Sequence, residues 1–295
     1  MASVVINKLV IIGVGLIGGS FALALRKAGL VKHIVGIGRS RENLRRACEM
    51  GVIDEIADDL ALALKGADLV FLAMPVGQTG KVMAQISPHL EVRTVVTDAG
   101  STKQDVILAA RSFMPRMLKN FVPGHPIAGA EMSGVTAASA DLFRNKSLVL
   151  TPLDESSDEA VNRVTELWKK GCGAHVSLMQ AEQHDTVLAA MSHLPHVLAF
   201  TLMNYICASA GDKPEELLRF AGSGFRDFTR IAGSSPEMWR DICLANREAL
   251  LKHIDGYQNE LTELREMLDR NDSQGLESIF TDARDARKQW LQGKS

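Results

Sequence analysis

The sequence predicts an α/β fold: a mostly parallel sheet covered by helices on both faces, followed by an all-helical domain. Three observations carry this. Short β-branched runs alternate with longer amphipathic stretches from Lys8 to about Met179, the pattern of strands joined by crossover helices. A glycine cluster stands directly after the first apolar run. After Gln180 the strand pattern stops and long apolar-rich stretches take over. The 295 residues suit two domains, expected at 1–179 and 180–295.

Strands are expected at residues 9–12, 33–37, 69–74, 94–97, 121–122, 148–150 and 175–178, each a short apolar run bounded by polar or turn residues. Helices are expected between them at 16–28, 41–50, 77–86, 103–114 and 157–170. In the second half, residues 182–207, 236–268 and 273–291 read as long helices. Leu250, Leu251, Ile254, Tyr257, Leu261, Leu264 and Leu268 recur close to a 3–4 spacing, which makes one apolar helix face. So small a helical domain presents more apolar surface than one subunit buries, and a homodimer through this half is expected.

Lys plus Arg is 33 and Asp plus Glu is 35, for a formal charge of −2. This balance argues against a nucleic-acid-binding surface. Cys48, Cys172, Cys207 and Cys243 form no CxxC pair and, with the histidines, no zinc spacing, so free thiols in a reducing cytosol and no metal are expected. The apolar N-terminus lacks a basic leader region. No apolar run is expected to reach the ~18 residues that span a bilayer. A cytoplasmic protein without membrane association follows from these readings.

Gly13-Val14-Gly15-Leu16-Ile17-Gly18 follows a strand and opens a helix, the context a dinucleotide-binding turn requires. Gly13 would make the tight turn, Gly15 admit a pyrophosphate and Gly18 allow close helix–strand packing. The N-terminal domain is therefore expected to be Rossmann-like. In such domains the second strand usually ends in a carboxylate that holds the ribose 2′-hydroxyl of NAD. Here it ends Gly38-Arg39-Ser40-Arg41. Two guanidiniums and a hydroxyl suit a 2′-phosphate, so NADP is expected over NAD. The other reading is a pair of solvated arginines at a helix start. Pro75 ends the strand 69–74, as a proline does, and its backbone would line the cofactor groove.

Ser101, between a strand and a helix, is either an N-cap or a hydroxyl facing the site. His125 lies between Gly124 and Pro126, with Gly129 and Gly134 beyond. That reads as a held loop presenting a general base. His184-Asp185 is followed by Ser192-His193-Leu194-Pro195-His196. His193 and His196 share a helix face, although Pro195 strains that turn. A metal there is disfavoured because no third ligand is spaced to complete a set. Asp227 and Arg230, three apart, would pair on a helical turn and present a guanidinium to a substrate carboxylate. The plainer reading is a surface salt bridge.

Taken together these motifs resemble the prephenate/arogenate dehydrogenases of tyrosine biosynthesis. The residues that carry the resemblance are GVGLIGGS at 13–20, DAGSTK at 98–103 and GHPIAGAEMSG at 124–134, then SHLPH at 192–196, GFRDFTRIA at 224–232 and MWRDI at 238–242. They run in the family's order through nearly the whole chain. The resemblance implies a Rossmann-like domain followed by a helical dimerisation domain, and oxidative decarboxylation of a cyclohexadienol. It implies His125 as the catalytic base, with Ser101 bonding near it and the cofactor. It implies Arg230 at the substrate carboxylate, oriented by Asp227, and His193 and His196 in the substrate site. Glu131 and Trp239 also fall on family site positions. Many members carry Asp where Gly38 stands, and the NADP reading tilts the substrate toward arogenate by association. No room is expected for the mutase or ligand-sensing domains fused to some members. Two alternatives remain. A dehydrogenase of the 6-phosphogluconate or β-hydroxyacid type would be expected to place a catalytic lysine on the helical domain, but none stands between Met179 and Lys213. A non-catalytic NADP sensor would not need His125, Ser101, His196 and Arg230 together.

Overall fold

The structure, a computed structural model, describes residues 5–129, 134–211 and 213–293. Nine strands occur among them: β1 (Ile6–Ile12), β2 (Val31–Ile37), β3 (Glu55–Ile56), β4 (Leu69–Leu72), β5 (Val95–Asp98), β6 (Phe121–Val122), β7 (Gly124–Pro126), β8 (Ser147–Leu150) and β9 (His175–Leu178). The helices of the first half are α1 (Leu16–Lys27), α2 (Arg41–Glu49), α3 (Leu60–Leu64), α4 (Thr79–Ile86), α5 (Gln104–Phe113) and α6 (Asp158–Glu166). Those of the second half are α7 (Ala181–Leu188), α8 (Leu194–Ser209), α9 (Pro214–Leu218), α10 (Ser223–Thr229), α11 (Pro236–Ala245), α12 (Arg247–Asp269) and α13 (Ser273–Gln292).

The main sheet has six parallel strands in the order β3-β2-β1-β4-β5-β6. The order reverses between β1 and β4, and ligands bind such sheets outside the carboxyl ends at that switch point. β1 is apolar without alternation because both of its faces are covered. Leu9 and Ile11 enter one core with Phe21, Phe71 and Trp168. Val10 and Ile12 enter the other with Val70, Leu72, Met83 and Phe121. Trp168 packs its ring against Phe21 and Phe143 at 4.8 and 4.9 Å between centroids.

A second, smaller sheet has the order β7-β8-β9, with β7 antiparallel and β8–β9 parallel. Here the sequence reading needs correction, because the segment read as a loop around His125 begins as a strand. Three residues containing glycine and proline show no alternation of their own. Pairing with β8, which sets His125 opposite Val149, makes them a strand. β3 and α3 also escaped the sequence reading, both being too short for a periodic signal.

The long helices of the second half are interrupted. Residues 182–207 divide into α7 and α8 through a π turn, Ala189–His193. Pro195 lacks the N–H that a continuous α-helix would send back four residues, and the backbone widens just before it. Residues 236–268 break at Asn246, where α11 ends. Residues 181–209 are 29 helical residues containing a window of mean hydropathy 1.4, long and apolar enough to cross a membrane. This corrects the expectation that no run reaches that length. Buried polar ties to α5 and Asn246 hold the same segment against the sheet-containing unit.

By contact the chain divides into two compact units, Met1–Arg247 and Glu248–Ser295. Helices α7 to α11 thus belong with the sheets in the first unit, whereas the sequence reading placed its boundary at 179/180. The second unit is α12 and α13, with Leu261, Leu268, Phe280 and Trp290 exposed.

Gly18 tests the packing of the first turn of α1. A Cβ there would lie 2.2 Å from the Gly13 carbonyl oxygen and 2.9 Å from Ile11 Cγ2. Gly18→Ala should cost about 1–3 kcal/mol of stability through overpacking, read by chemical denaturation, and should weaken dinucleotide binding in parallel.

Candidate active site

The glycine turn has the geometry its residues suggest. Gly13 has φ +101°, and a Cβ on it would lie 2.6 Å from the carbonyl of Ala73 at the end of β4. Its N–H donates to Ile37 at 2.8 Å, closing the turn onto β2. A Cβ on Gly15 would meet nothing within 4 Å. The start of α1, with Leu16 and Ile17 half-buried, therefore leaves open space above N–H groups that suit a pyrophosphate. Pro75 follows β4 and opens the 3-10 turn Val76–Gln78 on the same side.

At the end of β2, Ser40 is the N-cap of α2, its Oγ accepting from Asn43 N–H at 3.2 Å. Asn43 in turn donates to the Val14 carbonyl at 2.5 Å and accepts from Val135 N–H at 3.2 Å. Arg41 pairs with Asp58, and Arg39 Nη1 lies 3.4 Å from Glu237 Oε1 on α11. Both arginines are exposed beside Gly38, whose own added Cβ would touch only Leu44.

The second feature is a chain of hydrogen bonds across the first unit. Asp185, buried on α7, accepts Lys103 N–H at 2.8 Å and Gln104 N–H at 2.9 Å. Its Oδ1 also bonds His184 Nδ1 at 2.7 Å, and His184 Nε2 bonds His125 Nδ1 at 2.9 Å. Burial works to raise the Asp185 carboxyl, but the bonds from His184 and the two backbone N–H groups outweigh it and hold the group below the usual carboxylate range. With the carboxylate ionised and both rings neutral, one proton assignment satisfies the chain. His184 carries its proton on Nδ1 and His125 on Nδ1, which leaves a lone pair on His125 Nε2. Burial, then the charges of His184, Lys103 and His193, keep His125 well below the ordinary histidine value, so it is a neutral base at pH 7.

Asp185 also decides between the two readings of Ser101 as far as capping goes. Ser101 does not cap α5. Lys103 holds the N-cap position without a side-chain cap bond, and the Asp185 carboxylate satisfies the first N–H groups instead. Ser101 stays half-buried on the β5–α5 connection. Beneath it the Lys103 ammonium is fully buried, 2.5 Å from Asp98 Oδ2 and 2.9 Å from the Gly124 carbonyl. Asp98 further accepts Gly100 N–H and Gly124 N–H at 2.7 and 3.0 Å. These bonds pin β7, and with it His125, to the end of β5.

On the far side, His196 stacks on Trp239 with ring centroids 3.8 Å apart and an interplanar angle of 21°. Its Nδ1 bonds the Ser192 carbonyl at 2.8 Å, which leaves Nε2 outward. Burial and the nearby Arg230 charge lower its proton affinity. His193 is buried, edge-on to Trp239 with centroids 6.0 Å apart. Asn246 Nδ2 donates to the Asp185 carbonyl at 2.7 Å and lies 3.2 Å from His193 Nδ1. His193 Nε2 and Trp239 Nε1 are buried without a hydrogen-bond partner among the described residues.

Asp227 is exposed on α10, while Arg230 begins the following 3-10 turn with its charge near His196. Glu131 lies outside the described residues. His184 in the chain, and Asp185, Lys103 and Asn246 behind it, were given no role by the sequence reading. The adjacent His184-Asp185 pair was the one available signal.

A Rossmann-like sheet with an open glycine turn, in one unit with a neutral histidine bonded through His184 to a buried carboxylate, fits a nicotinamide dinucleotide-dependent oxidoreductase. The comparisons with known proteins narrow the class. Residues 21–178 match the model for the nucleotide-binding domain of prephenate dehydrogenase, and residues 180–282 match that for its dimerization domain. The prephenate dehydrogenase of Bacillus subtilis is 40% identical over 95% of this chain and 75% of its own length. The cyclohexadienyl dehydrogenase of Zymomonas mobilis is 36% identical over 96% of both chains. The crystal structure of Aquifex aeolicus prephenate dehydrogenase with hydroxyphenyl propionate and NAD+ superposes with a TM-score of 0.89 at 35% identity, over 96% of this chain and 98% of that one. Synechocystis arogenate dehydrogenase gives 0.79 at 29% identity, over 96% and 99%. The chain belongs to the prephenate dehydrogenase family.

His193 should make stability pH-dependent. Burial pushes it down to about 4 from an ordinary 6.5. Between these values the unfolded chain binds a proton that the folded one excludes, so its contribution is complete above pH 6.5 and is lost as pH falls toward 4. That loss amounts to about 3 kcal/mol. Denaturation midpoints measured from pH 7 to 4 should fall, and His193→Asn should flatten the slope.

Proposed function

We propose that the protein catalyses the oxidative decarboxylation of prephenate or arogenate, with NADP preferred as acceptor and arogenate favoured slightly by that preference. The observation that carries the reading is the Asp185–His184–His125 chain, which leaves a base nitrogen free at a neutral histidine. The dinucleotide, when bound, supplies the hydride acceptor. His125 Nε2 takes the proton of the ring hydroxyl as hydride leaves the same carbon. The carbon–carboxylate bond then breaks, CO2 departs, and the ring becomes aromatic. His125 returns its proton to the phenolate oxygen, and His184 with Asp185 holds the ring's tautomer throughout.

Ser101 is assigned to the hydrogen-bonding group beside His125. Arg230, His196, His193 and Trp239 are assigned to the substrate, with Glu131 and Asp227 at its margin. The two unpartnered N–H positions of His193 and Trp239, together with the Arg230 charge, favour an oxygen-rich anion, because buried donors left unmade cost about 1–3 kcal/mol each. Gly13, Gly15, Leu16, Ile17, Gly18 and Pro75 are assigned to the dinucleotide, and Arg39, Ser40 and Arg41 to its 2′-phosphate. The exposed apolar residues of α12 and α13 support a homodimer through the helical domain, 180–295. The charge balance supports a cytoplasmic location, with no nucleic-acid or membrane partner.

Purified protein incubated with prephenate or arogenate, under NADP and separately NAD, should reduce the dinucleotide with higher kcat/KM for NADP. Absence of turnover in every combination would remove the reading. His125→Asn should lower kcat by about 10²–10⁴-fold with little change in KM. The acid limb of log kcat/KM should fall below pH 6.5, because the base must be neutral and its proton affinity is depressed. Arg230→Ala should chiefly raise KM, measured in the same assay.

A further inference from the structure

Helix α11 is seated on the C-terminal end of β4. Val76 packs with Trp239 and Ile242. A Cβ on Gly77 would lie 2.4 Å from an Asp241 carboxylate oxygen. Asp241 is itself fixed by Arg240 Nε and Nη2 at 2.8 and 2.6 Å. A helix held so closely has little freedom in its first turn, which Ser235 caps by accepting Met238 N–H at 3.4 Å. Glu237 stands in that turn. Its carboxylate reaches Arg39, 198 residues away in the chain, at 3.4 Å.

We propose that Glu237 is a specificity-determining residue of the dinucleotide site, bringing from the second half of the chain the carboxylate that the end of β2 lacks. The inference rests on the NADP reading above. Arg39 by itself offers a full charge and a hydrogen-bonding fork to a 2′-phosphate. With Glu237 beside it, part of that charge is already neutralised, and a dianionic phosphate meets a second negative group. A 2′-hydroxyl is uncharged and can donate to a carboxylate. Glu237 therefore weakens NADP binding more than NAD binding and moderates the preference that Arg39 and Arg41 create. The Arg39 and Glu237 side chains are 67% and 46% exposed, so solvent screening keeps the effect modest.

The test is calorimetric titration of the full chain with NADP and with NAD, without substrate. It uses wild type, Glu237→Gln, Arg39→Gln and the double variant, each first shown by its unfolding midpoint to be folded. Glu237→Gln should tighten NADP by about threefold to fivefold and leave NAD unchanged or weaker. The gain should shrink at high salt and vanish in the Arg39→Gln background. The assignment is overturned by unchanged affinities, by equal shifts for the two dinucleotides, or by a gain that survives without Arg39. Wild type that binds NAD more tightly than NADP overturns the cofactor reading instead. Glu237 is then judged separately, by whether its substitution still moves the ratio toward NADP.

Discussion

One buried carboxylate organises the site. Asp185 accepts the first N–H groups of α5, fixes the proton of His184, and through it the ring of His125. A buried anion is costly unless every lone-pair direction is used. Here the helix N-terminus contributes both its N–H groups and its partial positive charge. The same bonds attach α7 to the sheet, so the attachment of the helical segment and the tautomer of the base rest on a single group.

A second buried pair fixes the other side of that group. Lys103 contributes its backbone N–H to Asp185 and its ammonium to Asp98 and the Gly124 carbonyl. Asp98 also binds the N–H groups on either side of the site, at Gly100 and Gly124. β5, α5 and β7 are therefore locked together around one lysine with no exposed surface. The glycines are part of this geometry. A Cβ on Gly100 would lie 2.8 Å from Asp98 Oδ2, and one on Gly124 3.0 Å from Leu150 Cδ2.

What was legible in the sequence follows from the range of each interaction. The glycine turn is local, and its strand–turn–helix context is written in consecutive residues, so the tight turn at Gly13 and the close helix packing at Gly18 were readable. The parallel sheet was readable because short β-branched runs such as 9–12 alternate with longer amphipathic stretches, the pattern of strands joined by crossover helices. Whether Ser101 caps α5 stays open in the sequence because the group that serves the first N–H groups instead, Asp185, is supplied from 82 residues beyond Lys103. β7 was taken for a loop because its identity as a strand comes from β8. His125 was visible by type and context as a candidate base. Its tautomer was not, because that depends on a contact 59 residues distant.

Burial first, and then the groups around it, keep the His125 ring neutral. The neighbouring His184, Lys103 and His193, cationic or potentially so, add to the opposition that burial already sets against its protonation. Left to themselves they would also repel a second proton from the whole cluster and destabilise it. Asp98 compensates the Lys103 ammonium by a direct bond, and Asp185 accepts the His184 N–H and two backbone N–H groups, so both buried carboxylates are satisfied. Removing Asp98 would strand the Lys103 ammonium in the interior, whereas removing His125 strands no charge. The Asp98–Lys103 pair is thus required by folding, and His125 carries no such structural burden.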